Sequence, residues 1–236
     1  MKAVILAAGR GIRMNHRTTI IPKCLLDING KTIIEKQLLH LKRHGIKDIF
    51  LVLGHQYDKV LMKLHEIKVR HVNILFNNDY AVTNNMFSLF KTKEWVKGNS
   101  FVLLNGDAVV ENKLFDMIVN SKSSACPYDS ENFNPEELKV LIKDKLAYKI
   151  MPKITGPENS NGSTIGVFKF SAQASTLFFD DMEKTIVKQK KLNEWFEHSL
   201  TNIFPKTKFK PLDIKGLKWI EIDDPNDLSL ARGMFE

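Results

Sequence analysis

The sequence predicts an α/β fold, a Rossmann-like and mostly parallel sheet flanked by helices, with a β-rich lobe inserted into it. Three observations predict it. Lys2 to Leu6 is a β-branched apolar run that ends in small residues. Ile33 to His44 carries apolar residues at helical spacing, at Ile34, Leu38 and Leu41, and stops at Gly45. Asp48 to Leu53, DIFLVL, is a second buried strand. Strand, helix and strand in that order make a parallel pair joined by a right-handed crossover.

The alternation continues along the chain. Val60 to Ile67 reads as a helix, Val72 to Phe76 as a strand, Met86 to Trp95 as a helix and Ser100 to Asn105, SFVLLN, as a buried strand. From Ser121 to Gly162 the composition turns to Ser, Asn, Lys and Pro clusters around the short alternating strands LKVLIK and LAYKIM. A lobe on the acceptor side over about 121–165 is therefore expected within a single domain of 1–236. TIGVFKFS returns to apolar strand, KTIVKQKKLNEWFEHSLTNIF reads as helical, and LKWIEID is a last strand leading into a terminal helix. Open parallel sheets bind ligands beyond the carboxyl ends of their strands, so residues directly after strands carry the most weight.

Composition narrows the class. Over 236 residues, 43% hydrophobic and 26% charged are ordinary proportions for a folded chain with a core. Thirty-five Lys and Arg against 27 Asp and Glu leave +8, which points to an anionic partner. The lysines are dispersed, and no helix-turn-helix, zinc-finger or RNP pattern is present. Small phosphorylated molecules therefore suit the charge, and nucleic acid is not expected. Cys24 and Cys126 lack CxxC spacing, which suits a reducing compartment, and no run approaches the roughly 20 apolar residues of a membrane span. A cytoplasmic protein without a membrane partner is expected.

After Leu6 the chain reads LAAGRGIRM. Ala7, Ala8, Gly9 and Gly11 carry little or no side chain, so backbone N–H groups can approach a ligand and form a concavity for phosphate oxygens. Arg13 adds a planar positive fork. A bare Gly-x-Gly would sooner be a plain tight turn; this one lacks the third small residue of GxGxxG and the Lys-Ser/Thr of a P-loop. Pro22-Lys23 downstream, followed by LLDINGKTIIEKQL, lifts the ligand-binding reading.

Asp107 follows the apolar strand SFVLLN, where a carboxylate suits Mg²⁺, an ion that takes only one or two protein carboxylates. WIEIDD supplies a second carboxylate after a strand. The competing reading for Asp107 is a helix N-cap, and for Asp224, directly before Pro225, that reading is the stronger one.

Together LAAGRGIRM, Pro22-Lys23, KTIIE at Lys31 to Glu35, NNMFSL and WIEIDD resemble the nucleotidyltransferase family that includes the sugar-1-phosphate nucleotidylyltransferases and the phosphocholine cytidylyltransferases. The resemblance covers most of the chain, with Thr32 standing where the family usually has Pro. It implies a nucleotide-diphospho-sugar transferase-like fold. It also implies Leu6, Ala7 and Ala8 beside the base, Gly9, Gly11 and Arg13 around the triphosphate, and Lys23 neutralising charge in the transition state. Mg²⁺ on Asp107 and Asp223 is implied likewise, with Asp224 the alternative to Asp223, as is Lys153, in KIMPKI, at the acceptor phosphate. For Lys153 an exposed loop lysine is an equal alternative.

NNMFSL resembles the phosphocholine-type enzymes, which favours CTP over another NTP. Asn84, Asn85 and Ser88 can hydrogen-bond base or acceptor, while Asn84 can equally cap a helix. Trp195 and Phe196 resemble one wall of an aromatic cage for a quaternary ammonium, although Trp195 equally suits a core position. NPEELKV lacks the tryptophan that phosphocholine enzymes carry there, and Glu136 or Glu137 could pair with a primary ammonium instead.

The expected activity is Mg²⁺-dependent transfer of a CMP group from CTP to a small phosphorylated or phosphonate acceptor, with release of pyrophosphate. The acceptor would be of phosphocholine, phosphoglutamine or aminoethylphosphonate type. Such products commonly feed cell-surface polysaccharide biosynthesis in the family. Two other readings stand beside it: a sugar-1-phosphate nucleotidylyltransferase, and a non-catalytic nucleotide-binding regulator, against which Lys23, Asp107 and Asp223 together argue. The residues leave the exact acceptor and the oligomeric state open.

Overall fold

Both faces of the first strand are buried, and this decides the layout of the molecule. In the computed structural model, which describes residues 1–14 and 21–235, β1 (Lys2–Ala7) leads through a small-residue turn and a single helical turn at Lys23–Leu25 to a small ribbon, β2 (Asp27–Ile28) and β3 (Lys31–Thr32). Next come α1 (Ile33–Arg43), β4 (Ile49–Leu53), α2 (Tyr57–Glu66), β5 (Val72–Phe76), α3 (Asn85–Phe90) and α4 (Lys93–Val96). Then follow β6 (Phe101–Asn105), β7 (Ala108–Val110), α5 (Asn112–Val119) and β8 (Ser124–Asp129). The β-rich stretch supplies β9 (Lys139–Lys143), β10 (Leu146–Met151), β11 (Gly162–Thr164) and β12 (Val167–Phe170). After it come α6 (Ala172–Glu183), α7 (Phe196–Ile203), β13 (Phe209–Asp213), β14 (Trp219–Glu221) and α8 (Pro225–Met234).

Ala3, Ile5 and Ala7 of β1 join one apolar cluster, with α1, α2 and α5 packed over it. Val4 and Leu6 join another, under α3, α6 and α7. A strand covered on both faces belongs in the interior of a parallel sheet. β1 accordingly pairs in parallel with β4 on one side and β6 on the other, and β5 lies beyond β4. The full order is β10-β9-β11-β8-β12-β6-β1-β4-β5, with β13 beside β8. By the pairings, seven strands (β1, β4, β5, β6, β8, β9 and β13) run one way, and three (β10, β11 and β12) run the other. Residues 121–165 thus lie as strands at one side of the same sheet. A separate antiparallel ribbon joins β14 to β7, with Trp219 opposite Val110.

Local chemistry fixes the ends. The Thr32 N–H and hydroxyl both donate to Glu35 Oε2, at 2.8 and 2.7 Å, and the Glu35 N–H returns a bond to Thr32 Oγ1, closing a capping box at the start of α1. A proline at 32 would lack the N–H this box uses.

Several elements differ from expectation. The helix expected over Met86 to Trp95 is two short ones, because the buried Thr92 turns its hydroxyl back to the Leu89 carbonyl at 2.7 Å and interrupts the run. The helix read from 184 to 204 is broken: Lys190 takes a left-handed φ of 59°, and α7 starts only at Phe196. α6 and β13 were not expected at all, although Ala174, Phe178 and Met182 recur at helical spacing and are all buried. α2 begins at Tyr57, three residues before the apolar spacing announces it. Among the described residues no helix is long and apolar enough to cross a membrane.

Candidate active site

The direction in which strands are added to the sheet reverses at β1. The connection through α1 carries the chain to β4 and then β5 on one side, and β6 returns to the other side. The carboxyl ends of β1 and β6 therefore flank a switch point, where crevices form in such sheets. A cleft of about 540 Å³ opens there. Lining it are Leu6, Ala7, Ala8, Gly9, Gly11 and Arg13, then Lys23, Asn84, Asn85, Ser88, Asp107, Glu137, Lys153, Trp195 and Asp223, whereas Glu136 and Phe196, also singled out from the sequence, are not in its lining.

The floor is a tight turn after β6. The Gly106 N–H donates to Leu6 O at 2.9 Å, and a Cβ on Gly106 would sit 2.6 Å from that oxygen, so only glycine lets β6 close on β1 here. Buried Gln37 of α1 donates from Nε2 to the carbonyls of Asn105 (2.7 Å) and Ala108 (2.9 Å), holding the turn from beneath. Gly11, with φ of 60°, makes the left-handed bend of the loop above. Residues 15–20, between Arg13 and Pro22 in the opening motif, lie outside the described residues.

Asp107 stands in the turn between β6 and β7. No helix starts there, so the capping alternative does not apply. Its carbonyl accepts from the Ile222 N–H at 3.1 Å, which brings the residues after β14 alongside. Asp223 is then fixed through its own N–H, which donates to Asp227 Oδ2 at 2.8 Å. Asp224 instead caps α8, accepting from the N–H groups of Asn226 and Asp227.

Both carboxylates converge on one cation. The Lys23 ammonium lies 3.0 Å from Asp107 Oδ2 and 2.5 Å from Asp223 Oδ1, and Arg13 reaches Asp223 Oδ2 at 2.6 Å and Glu136 Oε2 at 2.8 Å. Burial opposes the charged form of Lys23, yet the charges of Asp107 and Asp223 leave its pKa raised. Burial likewise opposes ionisation of Asp223, but Lys23, Arg13 and Lys153 hold it below the ordinary range.

The same pair tests the fit of a divalent metal. Two hard oxygen donors aimed at a single point already occupied by an ammonium suit Mg²⁺, with nucleotide phosphates and waters supplying the rest. Among the described residues no cluster of three or more His, Cys, Asp and Glu is arranged for a metal. Cys24, in the cleft wall, is a buried thiol that burial pushes up to about 12, so it supplies no thiolate.

The far wall is built by a buried lysine. Lys139 donates from Nζ to the carbonyls of Asn134 (2.6 Å), Glu137 (2.5 Å) and Lys153 (3.1 Å), tying two expected site residues to one point. The Lys153 ammonium bonds to the Glu136 carbonyl and lies 5.6 Å from the centre of the Trp195 ring. The face of Trp195 thus already meets a cation. Phe196, expected beside it as cage wall, is instead fully buried and packs edge-on against Phe168 and Phe178. Asn85 Oδ1 accepts from the Phe196 N–H at 2.9 Å, and Ser88 Oγ from Asn77 Nδ2 at 3.0 Å. Asn84 accepts from the Asn85 N–H at the start of α3, the capping role left open for it.

Among the polar wall residues that sequence reasoning missed are Asn105, Glu197 and Glu221. Glu221 shares a hydrogen bond with Glu137, and burial together with the neighbouring carboxylates raises it well above the ordinary range. Burial pushes Glu137 up to about 6 and Glu197 up to about 7. The missed signal for Glu197 is an acid one position from buried Phe196 and three from buried Leu200. Among the described residues around the cleft, Asp107, Glu137, Glu197, Glu221 and Asp223 give five carboxyl groups and Arg13, Lys23 and Lys153 three cations. The excess of basic over acidic residues in the whole chain is therefore not repeated among the described residues of the cleft.

The comparisons agree with this architecture. Residues 3–135 match the model of the MobA-like NTP transferase domain. The choline-phosphate cytidylyltransferase of Streptococcus pneumoniae is 31% identical over 204 residues, 80% of this chain and 86% of that protein. The CTP:phosphoglutamine cytidylyltransferase of Campylobacter jejuni is 27% identical over 98% of both chains. In structure, the CTP:phosphocholine cytidylyltransferase from Streptococcus pneumoniae superposes with a TM-score of 0.82 over 100% of this chain and 99% of the other, at 24% identity.

Proposed function

The chain belongs to the MobA-like NTP transferase family, and from that premise we propose that it is a Mg²⁺-dependent cytidylyltransferase that joins CMP from CTP to a small phosphorylated or phosphonate acceptor of phosphocholine, phosphoglutamine or aminoethylphosphonate type. The observation that carries the reading is the convergence of Asp107 and Asp223 on the Lys23 ammonium beside the glycine-rich turn. CTP, rather than another NTP, is supported by the relatives, which are named cytidylyltransferases.

In the reaction an acceptor oxygen attacks the α-phosphorus. The new P–O bond forms as the bond to the β-phosphate bridge breaks, and pyrophosphate carries away the electron pair. Both reactants are anions, and two unit charges 4 Å apart repel by roughly 4 kcal/mol at an effective dielectric of about 20. Lys23, released from its two carboxylates, and Arg13 are the groups that offset this charge at the triphosphate. Lys153 does so at the acceptor, and positioning then supplies most of the acceleration. Asp107 and Asp223 would hold Mg²⁺, which when bound supplies charge neutralisation and orientation of the phosphates.

The test is pyrophosphate release with each of the four NTPs against phosphocholine, phosphoglutamine, 2-aminoethylphosphonate and several sugar 1-phosphates. Release with CTP and one of the first three acceptors is expected. Release only with a sugar 1-phosphate would replace the acceptor assignment, and CTP binding without release would leave a nucleotide-binding regulator.

A further inference from the structure

Beneath the cleft, one polar side chain stands where the packing calls for an apolar one. Gln37 of α1 is 2% exposed, and its helix neighbours Ile34, Leu38 and Leu41 all belong to the apolar cluster that covers one face of β1. Its Oε1 has no hydrogen-bond partner among the described residues. An orphaned acceptor in a core is costly, so the amide is explained by what its nitrogen holds.

That nitrogen clasps the turn that carries Asp107. Nε2 donates to Asn105 O at 2.7 Å and to Ala108 O at 2.9 Å, the first and last carbonyls of the turn. Among neutral side chains only Asn and Gln place two N–H donors on one nitrogen, and Asn is a methylene shorter. A lysine would bring a further charge under the site. Among the described residues the Asp107 carboxylate bonds to nothing but Lys23, so the main chain of the turn decides where it points. His40, one helical turn further along the same face of α1, makes a different bond. Its Nε2 lies 3.0 Å from Val110 O, at the far end of β7, and holds the strand rather than the turn.

We propose that Gln37 is a positioning residue for the divalent metal: by clasping Asn105 O and Ala108 O it fixes where Asp107 presents its carboxylate opposite Asp223. The inference rests on the metal-dependent transferase reading above and adds to it a residue that touches neither metal nor substrate.

Gln37→Met, which keeps the length of the side chain and removes both donors, tests it, with His40→Leu as the control on the same helix face. Mn²⁺, which shares the oxygen preference of Mg²⁺, is the probe, and its binding is followed by electron paramagnetic resonance with and without CTP. In Gln37→Met the Kd for Mn²⁺ and the Mg²⁺ concentration for half-maximal turnover should both rise on the order of tenfold, with the acceptor KM changed by less than about twofold. The amide resonances of Gly106, Asp107 and Ala108 should move as well. His40→Leu should lose stability to urea yet bind Mn²⁺ as wild type does. Wild-type affinity in Gln37→Met, or an equal loss in His40→Leu, would overturn the proposal. Should Asp107→Ala bind Mn²⁺ as tightly as wild type, the metal reading fails by itself. The resonances then still decide whether Gln37 positions Asp107: displacement in Gln37→Met alone supports it, and none, or the same in His40→Leu, overturns it. If Gln37→Met does not fold, Gln37→Glu, with at most one O–H for two carbonyls, takes its place on the same criteria.

Discussion

Lys23 and Asp223, two hundred positions apart in the chain, meet at 2.5 Å, and the lysine side chain there is only 14% exposed. An ion pair so well shielded is costly to break from one side, because the partner is left buried and uncompensated. Replacing Lys23 should therefore do two things. Lys23→Ala should lower kcat on the order of a hundredfold or more, as removal of one charge-stabilising group does. Because Lys23 helps hold the Asp223 pKa down, it should also make Asp223 easier to protonate. Steady-state kinetics and a carboxyl titration by NMR check both, and a rate within a few-fold of wild type would make Lys23 a bystander.

Asp107→Ala should abolish Mg²⁺-dependent turnover without unfolding the chain, since the turn is held by Gln37 and by backbone bonds rather than by the Asp107 carboxylate. Chelation of divalent ions should silence the wild type, and added Mg²⁺ should restore it. Activity that survives both treatments would remove the metal assignment.

Lys139 ties three carbonyls that frame the wall proposed to meet the acceptor, so Lys139→Met should release Glu137 and Lys153 together. The expected result is an acceptor KM raised by about tenfold with nucleotide binding little changed, and a stability loss of about 1–3 kcal/mol from the orphaned carbonyls. Equal weakening of nucleotide and acceptor would show that the lysine supports the fold at large.

Glu197 predicts a pH dependence of stability. Burial moves it from an ordinary value of 4.5 to about 7 in the folded chain. Between these values the folded state holds a proton that the unfolded state has released, so stability is full below the lower value, falls as pH rises through the window and levels off above it. Glu137, pushed to about 6, acts in the same direction. Urea unfolding of Glu197→Gln across this range should show a shallower fall than wild type, and identical slopes would refute the assignment.

Gly166 faces the same carboxyl wall. A Cβ there would lie 2.1 Å from Glu221 Oε1 and 2.6 Å from Asn105 Nδ2. Gly166→Ala should cost about 1–3 kcal/mol of stability and raise the acceptor KM, whereas a neutral substitution would mean that Glu221 moves aside freely.

Much of this was written in the sequence where backbone patterns decide the outcome. Lys2 to Leu6 announces a two-faced strand, Asp107 follows the apolar run of β6, and the small residues at 7–11 mark the turn, so the position of the cleft was legible. The wall that carries Glu197 and Glu221 was not. Glu221 differs from its neighbours Asp223 and Asp224 only in what it faces, and Glu197 shows itself only when α7 packs its N-terminus against Asn85. Phe196 misled because an aromatic beside Trp195 looks like a ligand wall until its burial against Phe168 and Phe178 is known. Strand order was illegible for a related reason: β13 joins β8 across more than eighty residues, a pairing no local spacing encodes.

The ribbon of β7 with β14 has a temporal meaning. Asp107 lies ahead of β7 and Asp223 behind β14, so the two jaws around Lys23 come together only when a strand emerging late from the ribosome zips onto one made more than a hundred residues earlier. A nascent chain, however well its central sheet has formed, holds half of the jaw. On the proposed metal role of the pair, the second carboxylate would reach Lys23 only once β14 has paired with β7.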